Sequence, residues 1–585
     1  MRGGMGQRLS SGEDVKFDLR RLKSESLAIL RQAMKGLGKP LIQASLLTVV
    51  IAAISVSTPL LTRRAIDYSV ANQDWAGLLQ IMSLYALLVG LEWLVSYGQT
   101  LLAHRVAYGA ITRLRVRVFS HLLSLDLGFH QDGKVGAMTS MVMNDTESLF
   151  GLIAQGFIYF ISDLVTIVAV FITLMFLSPR LALVITFTMP LTLFGTQAIG
   201  KLVRFAQRQV RQDIADLSAG VEQTVSGVRD VKAFAKEGQQ ADKIARLSGA
   251  ARDSQIKSAK ASALMFPMMD LTSAIGLGAV IWQGGVLFGR GQISLGVLTA
   301  ALLYVRRIHG PLMDLSQTYN TYQTAAAALD RVSSLLNRKP IITESEHPVK
   351  AGVVGDLHVK GVHFGYKESD VLSGVDLCIP AGSKIAIVGE SGSGKSTIVK
   401  LLARLYDPHQ GEVFFGGVDV KDIALKELRH RIQVVPQDTY LFPVTIWENI
   451  AYGMPDISRE AVVKLSEEVG LREFFARLSS GIDTRVSEGG KSLSGGQRQA
   501  IAILRALIRN PDVLIFDEAA SHLDSQLEKL IFDSVRGMWA EKTIIVITHR
   551  TTSLGMAERI YEVRAGRLQE IDKSQVILAG WRETE

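Results

Sequence analysis

Gly389-Glu390-Ser391-Gly392-Ser393-Gly394-Lys395-Ser396 follows the spacing G-x-x-x-x-G-K-S/T, and the residues on either side decide how it is read. Ahead of it, Lys384-Ile-Ala-Ile-Val388 is a short apolar run suited to a buried strand. Behind it, Thr397-Ile-Val-Lys-Leu-Leu-Ala-Arg404 has helical spacing. Strand, glycine loop and helix in that order predict an α/β domain of the P-loop type. The glycines let successive backbone N–H groups curl around a phosphate. Lys395 offers a cation to the β- and γ-phosphates, and the Ser396 hydroxyl can ligate Mg²⁺. A glycine-rich turn alone is a modest signal; flanked in this way, it predicts nucleotide binding.

A chain of 585 residues is too long for one core, so two or more domains are expected. The mean hydropathy is +0.23. The apolar residues, 48% of the chain, crowd its first 320 positions, whereas the remainder has the composition of a soluble α/β domain. The sequence is therefore a membrane half followed by a soluble half. A net charge of +8 could suggest nucleic acid, but the excess Lys and Arg flank apolar runs, so membrane topology explains them better and no nucleic-acid partner is expected. Cys378 is the only cysteine, which excludes an intrachain disulfide. Residues 1–39 carry Arg20, Arg21, Lys23, Arg31, Lys35 and Lys39 into an apolar stretch without a small-residue cleavage site. This predicts a cytoplasmic N-terminal segment before an uncleaved first membrane helix.

Six spans are predicted within a membrane domain over 40–325, at about 40–62, 78–103, 150–177, 180–203, 262–288 and 294–316. Each is near the roughly 20 residues needed to cross a bilayer. The connections after the second and fourth spans are rich in positive charge, including Arg105, Arg113, Arg115 and Arg117, then Lys201, Arg204, Arg208, Arg211, Arg229, Lys232 and Lys236. Those after the first, third and fifth hold few. The positive-inside rule places both termini and the two long connections in the cytoplasm of a multi-pass protein, with a bacterial inner membrane the expected location.

The long connections keep helical periodicity and should extend the membrane helices into the cytoplasm. At the far point of the first, glycines interrupt the pattern over Leu125–Gly136, predicting a turn and a short crossing helix that docks Leu127 and Phe129 on the soluble domain. Residues 212–223 are the comparable place in the second. From Ala325 the chain becomes polar, so 326–350 is expected as a linker and 351–585 as the nucleotide-binding domain.

Three acids, Glu92, Asp163 and Asp270, fall at apparent membrane depth. A carboxylate there costs roughly 2.5–3.5 kcal/mol on insertion scales, so each should face the bundle interior or a wet cavity. They are candidates for a substrate path, either recognising a cation or linked to protons. A hydrogen-bonded structural contact between helices is the equally open alternative. Trp93, Trp282, Phe266 and Met265 could line an apolar cavity, although helix packing or lipid contact accounts for them more simply.

In the soluble half, Val513-Leu-Ile-Phe-Asp517-Glu518 is an apolar strand ending in two carboxylates, with Asp517 suited to a Mg²⁺ shell and Glu518 to the attacking water. Leu493-Ser494-Gly495-Gly496-Gln497 opens a helical stretch running to about Arg509, so its amides stand at a positive helix end. It is a second phosphate-binding element in a chain that already has one.

With that pairing, the sequence resembles the ATP-binding cassette (ABC) transporters over nearly its whole length, and Leu493–Gln497 is similar to their signature motif. The resemblance implies further roles. Gly389–Ser396 and Thr397 would bind ATP, with Tyr366 in the A-loop place beside the adenine. Gln437 resembles the Q-loop glutamine that meets Mg²⁺ and water, Ser521-His-Leu-Asp524 the D-loop, and His549 the switch histidine at the γ-phosphate. Glu518, His549 and Gln437 would be catalytic, and Ser396, Gln437 and Asp517 would surround Mg²⁺. Members pack two cassettes head to tail, so this chain would need a second half-transporter chain. Six spans before one cassette resemble the exporter-type half-transporters, with 125–136 and 212–223 in the place of their coupling helices.

Departures from the family pattern are Ala500 after Arg498-Gln499, Pro443-Val444 after Leu441-Phe442, His522 in the D-loop and Ser487 before Glu488. None removes a catalytic group, and the presence of both Glu518 and His549 favours a homodimer over a heterodimer. The resemblance implies an ATP-driven exporter or flippase of a lipid, drug, peptide or other amphiphile. An ATP-gated channel, a regulatory membrane ATPase, or uptake of a metal chelate such as a siderophore would share the architecture.

Overall fold

The computed structural model describes residues 24–133, 135–350, 355–366, 369–520, 523–548 and 554–572. The chain forms two units, one of Met1–Leu122 with Gly136–Asn337, the other of Leu123–Val135 with Arg338–Glu585.

The first unit is helical. It contains α1 (Ser24–Ala33), α2 (Gly38–Arg64), which continues as a π-turn over Ala65–Val70, and α3 (Trp75–Ser124). The short α4 (Leu127–Asp132) belongs to the second unit. Then α5 (Val135–Ser140), α6 (Thr146–Phe150) and α7 (Ile158–Leu177) make one helical course joined by π-turns. They are followed by α8 (Pro179–Ser226), α9 (Val228–Ala233), α10 (Glu237–Ala263), α11 (Met265–Gly289) and α12 (Leu295–Leu336). Among the described residues, four runs are long and apolar enough to cross a membrane, namely Gly38–Val70, Trp75–Ser124, Val135–Leu177 and Glu237–Gly289. The other two predicted spans, 180–203 and 294–316, fall in α8 and α12.

These helices pack through an apolar cluster that includes Leu174, Leu181, Ile185, Val280, Leu287, Ala300, Tyr304 and Ile308. Large apolar side chains also cover the outside: Leu87, Trp93, Phe176, Phe187, Phe266 and Trp282 are all exposed. An apolar exterior over an apolar core is the polarity of a protein dissolved in lipid.

Two boundaries differ from the sequence reading. Residues 212–223 lie inside the uninterrupted α8, and the reversal comes later, at Gly227 and α9. Gln209 and Gln212 donate to Asp213 and Asp216 one turn on, holding the polar surface helical. Gly220 breaks nothing because it serves packing: a Cβ there would come 2.9 Å from Leu247 of α10. The expected linker at 326–350 is also shortened, because α12 runs on to Leu336. Ala325, Ala328, Leu329, Val332 and Leu335 are buried at helical spacing, so this polar-looking stretch has an apolar face.

In the second unit, β1 (Leu357–Phe364), β2 (Leu372–Ile379), β4 (Gln410–Phe415) and β5 (Val418–Asp419) form an antiparallel sheet in the order β2-β1-β4-β5. A six-stranded sheet has the order β10-β9-β3-β8-β7-β6. Its members are β3 (Lys384–Val388), β6 (Ile432–Val435), β7 (Val513–Asp517), β8 (Thr543–Ile547), β9 (Arg559–Arg564) and β10 (Arg567–Ile571). Strands β9, β3, β8, β7 and β6 pair in parallel, so their carboxyl ends share one edge. Every residue of β3 and β8 is buried, as continuous apolar runs require in a sheet covered on both faces.

The first expected turn lies close to its predicted position. Asp126 caps α4 by accepting from the Phe129 N–H at 3.2 Å, Tyr406 donates to Gln131 at 3.1 Å, and the Arg338 guanidinium sits 4.7 Å from the Phe129 ring centroid. Phe129 is thus held within the second unit, under a cation.

Candidate nucleotide site

The sequence motifs of the soluble half converge on the carboxyl edge of the parallel strands, where open α/β sheets bind their ligands. The chain leaves β3 at Val388 and enters the glycine loop, in which Gly389, Gly392 and Gly394 have φ of 149°, 82° and 112°. Two of these positions admit no side chain: a Cβ on Gly389 would lie 2.5 Å from the Val563 carbonyl oxygen, and one on Gly394 would lie 2.8 Å from Leu372. The helix Lys395–Leu402 follows at once.

Lys395 is buried, and its ammonium donates to the carbonyl oxygens of Gly389 and Glu390, each at 2.8 Å. Burial pushes its pKa below the ordinary lysine value, while Glu518 and Asp517 pull the other way. The Ser396 hydroxyl donates to Asp517 at 2.8 Å, across to the end of β7. Burial raises the Asp517 carboxyl, opposed by that hydroxyl and reinforced by Glu518. Glu518 has φ of +50°, which is costly for a residue with a side chain, and its amide donates to the Ile547 carbonyl at the end of β8. Gln437, beyond β6, donates to the Glu518 carboxylate at 3.0 Å. One edge therefore gathers Lys395, Ser396, Asp517, Glu518 and Gln437 from three parts of the sequence.

Tyr366 lies just past β1. Its hydroxyl is 3.1 Å from both Thr397 Oγ1 and the Lys400 ammonium, and its ring packs edge-on to Phe364 and Tyr406. It is 43% exposed, which leaves ring surface open to a flat ligand. Lys400, which the sequence did not single out, also lies 5.0 Å from that ring's centroid. Within the loop, the Ser393 hydroxyl is buried without a hydrogen-bond partner among the described residues, and a phosphate oxygen would satisfy it. Hydroxyl and carboxylate oxygens suit Mg²⁺. Among the described residues no group of three or more His, Cys, Asp or Glu could hold a metal ion.

The Leu493–Gln497 stretch is built differently. Ser494 is the N-cap of the helix Gly495–Leu507 in a reciprocal capping box: its hydroxyl accepts from the Gln497 amide at 3.2 Å, and the Gln497 side chain accepts from the Ser494 amide at 2.9 Å. The amides of Gly495 and Gly496 have no acceptor among the described residues. Gln437 and Gly495 line one small cavity of about 100 Å³, which sets this helix beside the glutamine loop. No hydrogen bond among the described residues joins 493–497 to the glycine loop. Asp524 caps the helix Ser525–Met538 through the Leu527 amide at 2.8 Å. Ser521 and His549 lie outside the described residues.

Two family models match this sequence, the ABC transporter transmembrane region over residues 41–312 and the ABC transporter domain over 372–521. An uncharacterized ABC transporter ATP-binding protein of Bacillus subtilis, YknV, is 31% identical over 94% of this chain and 91% of its own length. The chain belongs to the ABC transporter family. The ATP-dependent lipid A-core flippase of Syntrophus aciditrophicus is 30% identical over 83% of this ABC transporter and 81% of itself. The solved structure of a bacterial Atm1-family ABC exporter with ATP bound superposes with a TM-score of 0.79 at 26% identity, covering 93% of this chain and 97% of that one. This ABC transporter is therefore a multi-pass membrane protein with a fused ATP-hydrolysing domain. Its exporter fold is that of a half-transporter which dimerises and moves a substrate.

The membrane acids of the transporter do not form one group. Glu92 on α3 is tied to Arg307 on α12. Asp163 on α7 is buried, its Oδ2 without a partner among the described residues, and Asp270 on α11 is exposed. The sequence reading overlooked Arg306 and Arg307, although the rule that marked the acids, charge at membrane depth, applies equally to them.

Proposed function

We propose that this transporter is a homodimer that exports an amphiphile from the cytoplasmic side of a bacterial inner membrane, with both termini cytoplasmic, and that its ATP sites are shared between the two chains. In this reading, Gly389–Thr397 and Tyr366 hold ATP, Ser396, Asp517 and Gln437 surround Mg²⁺, Glu518 orients the attacking water, and His549 and the Ser521–Asp524 loop complete the site. Leu493–Gln497 would close over the partner's nucleotide.

The observation that carries this reading is the pair of amides at Gly495 and Gly496 that find no acceptor among the described residues, on a capped helix with no hydrogen bond, among the same residues, to the chain's own glycine loop. A helix N-terminus with free donors is suited to a phosphate, and a phosphate held by a second chain would supply the acceptor. The names of the lipid A-core flippase and the Atm1-family exporter support outward movement of an amphiphile. ATP would close the cassettes, and hydrolysis would reset them.

The shared site can be tested by mixing two inactive chains. Lys395→Ala and Ser494→Arg should each abolish hydrolysis as homodimers. A mixed dimer would retain one site with both halves intact, so co-expressed chains should recover part of the wild-type rate. No recovery in purified mixed dimers would sink the shared-site arrangement.

A further inference from the structure

Arg306 and Arg307 sit near the middle of the span expected over 294–316, where two adjacent cations need a reason. Arg307, on α12, is held from two other helices. Its Nε donates to Ser55 Oγ on α2, and its Nη2 donates to the Glu92 carboxylate on α3. The contact is built around Pro59, which lacks an N–H and so releases a carbonyl one turn back. Thr58 donates to the Ser55 carbonyl at 3.3 Å, and Tyr304, one turn before Arg307, donates to the Val56 carbonyl. Glu92 therefore balances Arg307. Arg306 is exposed and has no ion pair or hydrogen bond among the described residues.

These groups surround a cavity of about 340 Å³ lined by Thr58, Pro59, Tyr85, Leu303, Arg306 and Arg307. Counting Glu92, the local charge is one net positive, set among apolar helices where charges attract more strongly than in water. Guanidinium forks match the paired oxygens of phosphate and carboxylate. Tyr85 adds a hydroxyl, and the volume suits a head group with its tail lying outside. A cationic ligand would meet two guanidinium groups here and no free acid.

We infer that this cavity binds an anionic amphiphile, a phosphate or carboxylate head on an apolar tail, as the transported substrate or as a lipid. The inference rests on the transporter reading and names the ligand class.

The test uses the full-length dimer in zwitterionic phosphatidylcholine nanodiscs, with dodecyl phosphate, dodecanoate, dodecyltrimethylammonium and inorganic phosphate as probes. Binding is read by thermophoresis and, separately, as stimulation of ATP hydrolysis. Both anionic amphiphiles should bind, the ammonium amphiphile should not, and inorganic phosphate should not compete at equal concentration. Arg306→Gln should weaken anionic binding about tenfold or more, and Arg306→Lys should retain most of it. Lys257→Gln, an equal charge loss on the exposed face of α10, should leave it unchanged. If phosphatidylglycerol in the disc displaces dodecyl phosphate, the head group comes from the bilayer; if it does not, a dissolved amphiphile is the source. Both results keep the site. Equal affinity for the cationic probe, or unchanged anionic affinity in Arg306→Gln, overturns it. Probe-free hydrolysis by the wild-type chain reports on the transporter reading separately, because hydrolysis without anion selectivity would remove only the present inference.

Discussion

At the scale of single residues, the site is an arrangement of buried charges that restrain one another. Lys395 and Asp517 are both pushed by burial toward their neutral forms, and each is part of what keeps the other charged. Glu518 stands apart because of its backbone. A left-handed φ on a residue with a side chain persists only where its surroundings enforce it, here the hydrogen bond from its own amide to the Ile547 carbonyl and the hydrogen bond its carboxylate accepts from Gln437. This conformation places its carboxylate beyond the strand end. Glu518→Gln keeps the shape and removes the charge, so ATP should still bind, steady-state hydrolysis should fall by at least about a hundredfold, and closed dimers should accumulate. Wild-type turnover in that variant would remove Glu518 from the proposed role.

At the scale of elements, the helix ends determine how the membrane unit is assembled. The start of α12 is capped from a distance: the Asp67 carboxylate accepts from the Gly296 amide at 2.8 Å and from the Ser294 hydroxyl at 2.5 Å, while Arg63 pairs with it from one turn back. The approach is close enough that a Cβ on Gly296 would lie 2.5 Å from the Arg63 carbonyl oxygen. Gly296→Ala must therefore push α12 off the end of α2, at a cost of about 1–3 kcal/mol. Gly285→Ala, where nothing lies within 4 Å, should be neutral or slightly stabilising. Thermal unfolding in detergent separates the two, and equal midpoints would show that the Asp67 cap is slack. The sequence reading did not single out Asp67, because its partners on α12 lie more than two hundred positions away.

At the scale of the whole molecule, the two phosphate-binding elements of one chain imply two chains. Under the proposed roles the catalytic set is complete in sequence, with Glu518 and His549 both present, so the proposed homodimer needs no different chain to supply them. Expressed alone, the 63.9 kDa chain should purify as a species of about twice that mass and hydrolyse ATP. A monomer without hydrolysis, rescued by a second half-transporter, would replace the homodimer with a heterodimer.

The sequence by itself determined the two-part architecture of membrane and ATPase domains and the strand–loop–helix order at the glycine loop, and it named the candidate residues of the nucleotide site. The information there is local: an unbroken apolar run, a glycine spacing and a strand ending in acids each constrain the chain within a few neighbours. Tertiary structure decided what depended on faces and distances. The helix α12 extends past Ala325 because a buried stripe, invisible in average polarity, continues to Leu335. The second reversal of the long helices falls at Gly227 and not within 212–223 because Gly220 packs against α10. Glu92 is paired because Arg307, on another helix, reaches it. A side chain's charge can be read from a sequence, but whether that charge is balanced depends on what the fold brings within reach.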